Sequence, residues 1–188
     1  MTPEEWIDYE RTSPFENTEA EWNRCPVASS LLERALSIND DLGPNQRKLR
    51  LFGCACCRLV WGHLTSEAKL AVDAAERFAV GEISEAELDN ARTPVVEWLE
   101  RTQPPDFDDE QRQNELAIYR FALSASEISA TEDEGGWPYR QRVLEMPALM
   151  RHEYVPLGLD EAQVEAALCE RLRDIFGNPF QSPNPTDD

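Results

Sequence analysis

Gln46-Arg47-Lys48-Leu49-Arg50-Leu51-Phe52-Gly53-Cys54-Ala55-Cys56-Cys57-Arg58-Leu59-Val60-Trp61-Gly62-His63-Leu64 is the stretch that decides the fold. No acidic residue occurs from Leu42 to Ser66, although 37 of the 188 residues in the chain are Asp or Glu. At about 100° per residue, Leu49, Phe52, Cys56 and Val60 fall on one helical stripe. Cys54, Cys57, Trp61 and Leu64 fall on another. A helix that is apolar nearly all round has to be covered on every side, which predicts a central buried helix near 46–64.

The flanking sequence reads as further helices. Toward the N-terminus, Thr2-Pro3-Glu4-Glu5 has a cap, a proline at the first helical position and acids at the positive end of the dipole. Thr18-Glu19-Ala20-Glu21-Trp22 opens a short segment in the same way, and Leu31, Leu32, Ala35 and Ile38 give helical spacing to 27–38. Asn39-Asp40-Asp41-Leu42-Gly43-Pro44 reads as the break before the central helix.

Toward the C-terminus, Thr65 or Ser66 caps a helix rich in alanine that Gly81 stops. Ser84-Glu85-Ala86-Glu87 is a capping box. The helix it opens meets Pro94, where a kink or a restart is expected. Gln103-Pro104-Pro105-Asp106 is a stiff connector, and Asp108 or Asp109 caps the next helix, through Leu116 to Ile128. An acidic flexible loop at 131–136 leads into a short helix near 139–144, followed by a break at Pro147. The last helix starts at Asp160 and ends at Gly177-Asn178-Pro179. No alternating β-branched run is long enough to be a strand, and no internal repeat has a fixed period. The expectation is an all-α, single-domain irregular bundle of about seven to nine helices. It spans residues 1–180, with 181–188 as a disordered tail.

Eighteen basic against 37 acidic side chains leave a formal charge of −19. Such a chain repels phosphate backbones and anionic lipid, which argues against direct nucleic-acid binding and membrane docking. No run approaches the length of a membrane span. The acidic start is unlike a secretory leader, and five cysteines are an odd number for a disulfide scaffold, so a reduced cytoplasmic protein is expected. The main basic theme is Arg47, Arg50 and Arg58 on the central helix with Arg171 and Arg173 on the last, and internal pairing is its favoured reading.

Cys54-Ala55-Cys56-Cys57 is the most unusual run. Cys54 and Cys57 lie about 60° apart on a helix and face one way, whereas Cys56 points about 160° from Cys54. A metal or redox site would therefore use Cys54 and Cys57, and a tetrahedral zinc site would need two further ligands from among Cys169, His63 and Cys25. Paired Cys-x-x-Cys knuckles are missing, and buried cysteine packs well as a small apolar group. Core packing is accordingly the favoured reading, and no cofactor is expected. Di-iron, EF-hand, phosphate-loop and nucleophile-elbow patterns are absent, so no catalytic residue is singled out. Trp137 and Tyr139, aromatic residues of the kind enriched at protein contacts, follow the acidic Glu132, Asp133 and Glu134, and together these are the candidate partner-binding residues.

Arg47 to Arg58, followed by Trp61 and Ala75-Glu76-Arg77-Phe78-Ala79, resembles a group of uncharacterised bacterial all-helical proteins. The closing Cys169-Glu170-Arg171-Leu172-Arg173-Asp174-Ile175-Phe176-Gly177-Asn178-Pro179-Phe180 resembles the same group. The group carries no known activity. Its tryptophan is commonly followed directly by histidine, whereas Gly62 here separates Trp61 from His63. The resemblance implies that the cysteine helix and the C-terminal helix form one unit, docked through Cys169, Leu172 and Phe176.

Taken together, the residues point to a non-enzymatic acidic interaction or regulatory protein, of an inhibitor or immunity-like kind, with a basic protein as partner. The alternatives are a metal-binding or thiol-redox protein built on Cys54, Cys57 and Cys169, and a nucleic-acid mimic with carboxylates at phosphate-like spacing.

Overall fold

A computed structural model describes residues 18–38, 42–102, 113–128 and 160–180, together with residues 2, 5 and 158. Seven α-helices lie among them: α1 (Glu19–Arg24), α2 (Ala28–Ile38), α3 (Leu42–Leu59), α4 (Ser66–Ala79), α5 (Glu85–Arg101), α6 (Gln113–Ile128) and α7 (Glu161–Phe176). A single 3-10 turn, Trp61–His63, joins α3 to α4. No strand occurs among the described residues, and the protein is all-α.

Local chemistry sets the helix starts. Thr18 and Ser84 each accept a backbone N–H three residues on, from Glu21 and Glu87, whose carboxylates bond back to the cap N–H. Thr65 and Asp160 cap α4 and α7 by accepting from Ala68 and Gln163. Each such bond satisfies one of the amide groups that a helix start leaves without a partner. The end of α4 is equally local: Gly81 N–H reaches the Phe78 carbonyl and Glu82 N–H the Arg77 carbonyl. That pairing needs a left-handed residue, and Gly81 stands at φ +77°.

The central helix is where the sequence put it, with shifted ends. It starts at Leu42, so the expected break at Leu42-Gly43-Pro44 is instead its first turn. Pro44 lacks an N–H, but the amides of a first turn have no intrahelical acceptor to lose. The helix stops at Leu59, and Val60 turns the chain into the 3-10 segment, where His63 N–H bonds to Val60 and Leu64 N–H to Trp61. His63 thus belongs to a tight turn rather than to the helix.

α5 runs through Pro94 as one helix, so the restart expected there is not found. Pro94 removes the bond to the Asn90 carbonyl, and Asn90 is exposed, so water can take that acceptor. One residue earlier, the Thr93 hydroxyl donates to the Asp89 carbonyl at 2.9 Å.

α3 packs against α4, α6 and α7; α4 packs also against α5 and α6, and α7 against α2. Buried side chains from all seven helices join one core, among them Trp22, Leu31, Phe52, Leu88, Ala122 and Leu172. Of the two predicted stripes, Leu49, Phe52, Cys56 and Val60 are buried, as are Cys54, Cys57 and Leu64, while Trp61 is half-buried against the core. α7 docks on α3 with Cys169, Leu172 and Phe176 all buried, and Lys48 donates to the Phe176 carbonyl at 3.2 Å. The 131–136 loop, the segment 139–144 and the tail at 181–188 lie outside the described residues.

Candidate functional site

The cysteine helix sends its thiols two ways. The Cys54 thiol faces α4 and donates to the Val72 carbonyl at 3.9 Å, a long contact suited to sulfur. Cys57 shares that side, for the α4 charge that acts on it is Glu76. Cys56 lies opposite, where the acting charge is Glu165 of α7. Cys169 is buried on α7, the helix that meets the Cys56 side, and His63 is half-buried in the 3-10 turn. Among the described residues, no three Cys, His, Asp or Glu side chains gather as a metal-binding group.

All five cysteines are reduced and buried. Burial pushes the Cys54 thiol well up, and Cys57 and Glu76 push it the same way. Burial, then the neighbouring thiols, does the same to Cys56. Burial followed by Glu76 raises Cys57 from 9.0 to about 12. A thiol acts as nucleophile or metal ligand in its thiolate form, so these sites favour the neutral, unreactive state.

A buried ionic system joins the first two helices to the last. Arg34 of α2 contacts Glu21 of α1 at 3.0 Å, and their side chains are only 1% and 5% exposed. Glu165 of α7, itself buried, accepts the Ala28 N–H at the start of α2 at 2.6 Å. Arg173, two turns further along α7, donates to the Trp22 and Cys25 carbonyls at the end of α1. One helix therefore satisfies the carbonyl end of α1 and the amide end of α2. Beyond it, Asn178 donates to Glu19 at 2.6 Å.

Several other cations are engaged by the fold's own groups, Arg24, Arg58, Arg77 and Arg171 of them at the surface, while Arg47 and Arg101 are exposed. Arg58 grips Glu76 through two nitrogens and reaches Asp73, with its guanidinium 3.9 Å from the Trp61 ring centre. Arg50 is buried over the Phe78 ring, and Arg92 donates to the Ser126 carbonyl in the last turn of α6. Arg24 bonds to the Ala20 carbonyl, Arg77 pairs with Glu82 and Arg171 with Asp174. Both lysines lie over aromatic rings, Lys48 on Phe176 and Lys69 on Trp61.

Apart from buried Glu21 and Glu165, most carboxylates of the described residues are exposed. Asp89, Glu97 and Glu100 share the outer face of α5 with Thr93, and no ion pair among the described residues engages them. An open groove of about 420 Å³ runs along this face, lined by these four together with Arg92 and Val96. The pattern is visible in the sequence as Asp89-x3-Thr93-x3-Glu97, and it was missed amid so many acids. The Arg34 pair also left a trace: Arg34 stands three residues after Leu31, on the apolar side of α2. Glu132, Asp133, Glu134, Trp137 and Tyr139 lie outside the described residues. Comparison with protein-family models, curated proteins and solved structures finds no match for the chain.

Proposed function

We propose that this chain is a non-catalytic acidic interaction protein that takes a basic protein as its partner, with the outer face of α5 as a principal contact. The observation that carries the reading is the sorting of charge. Arg34, Arg50, Arg58, Arg92 and Arg173 are engaged by the fold's own carboxylates, rings and carbonyls, whereas Asp89, Glu97 and Glu100 stand on the surface. A net charge of −19 presented in this way speeds encounter with a cationic surface and disfavours anionic ones.

A protein partner is favoured over mimicry of nucleic acid by spacing. At 1.5 Å per residue, Asp89, Glu97 and Glu100 step along the helix axis by about 12 and about 4.5 Å, unlike the even series of phosphates. The test is affinity capture from a cell extract, with bound proteins identified by mass spectrometry. A captured basic protein, released by salt and lost with an Asp89→Asn/Glu97→Gln/Glu100→Gln variant, is the expected result. Capture of no basic protein, or the same capture by the variant, overturns the proposal.

A further inference from the structure

We draw no further inference here: the strongest candidate, the open groove along α5 bordered by Asp89, Glu97 and Glu100, is an acidic cluster belonging to the surface already described, and no bound group or buried unpartnered side chain among the described residues points to a particular ligand in it.

Discussion

Glu165 and Ala28 stand 137 residues apart in the chain, yet the Glu165 carboxylate accepts the Ala28 backbone N–H at 2.6 Å inside the core. A helix start that is buried needs an acceptor, and α2 finds its acceptor on α7 rather than in its own sequence. The contact fastens the last helix to the first two. With Arg173 on the carbonyls of Trp22 and Cys25, it makes α7 the element that closes the α1–α2 corner over α3.

Replacing Glu165 with alanine strands a buried amide. The expected loss is about 1–3 kcal/mol, read from the urea midpoint. Glu165→Gln keeps an acceptor oxygen and loses less. An alanine variant within about 0.5 kcal/mol of the parent would show that the bond does not hold the corner.

The Glu21–Arg34 pair should behave as buried charges do. Arg34→Met removes the guanidinium from the buried Glu21 carboxylate and is expected to cost about 3–5 kcal/mol. Adding Glu21→Gln removes that charge while keeping an N3 side chain able to serve the Thr18 capping box. The double variant therefore regains most of the loss in denaturant unfolding. A double variant no more stable than Arg34→Met contradicts the burial argument.

The thiols give a prediction in pH. Below about 9 both folded and unfolded Cys57 hold the proton, and its contribution to stability is whole. From there to about 12 the unfolded thiol ionises while the folded one does not, so stability falls as pH rises. Melting temperature measured across the alkaline range should decline, and Cys57→Ala should flatten part of the decline. At neutral pH iodoacetamide should label Cys54, Cys56 and Cys57 only after unfolding. Rapid labelling of the native protein, or a metal ion retained in its native mass, would return the chemistry to α3.

Much of this architecture was legible because its causes are local. The caps at Thr18, Thr65, Ser84 and Asp160 involve residues three positions apart, so the sequence displays donor and acceptor together. The burial of two sides of α3 was legible from a run without acids that carries two apolar stripes, whereas the third side, with Arg47 and Arg58, is open to solvent rather than covered. The ends of α3 were not legible, because whether Pro44 breaks a helix or sits in its first turn depends on where that helix starts. Pro94 does not restart its helix for a related reason: the carbonyl it frees lies at exposed Asn90, where water makes the interruption cheap.

The candidate contact surface was less legible. Glu165 and Arg34 act on groups brought near by the fold, and a charged residue on an apolar face signals only that some partner exists. The carboxylates of Asp89, Glu97 and Glu100 are distinctive only in the fold, where neighbouring Arg92 donates to the Ser126 carbonyl.

The claim that acidic outer faces draw in a basic protein is tested most directly by the association rate of the captured partner, followed by stopped flow at increasing salt. The Debye length shrinks from about 30 Å at 0.01 M to about 8 Å at 0.15 M, so an electrostatically steered encounter slows steeply over that range. The account predicts that fall in association rate, with a dissociation rate that changes far less. An association rate indifferent to salt would contradict it.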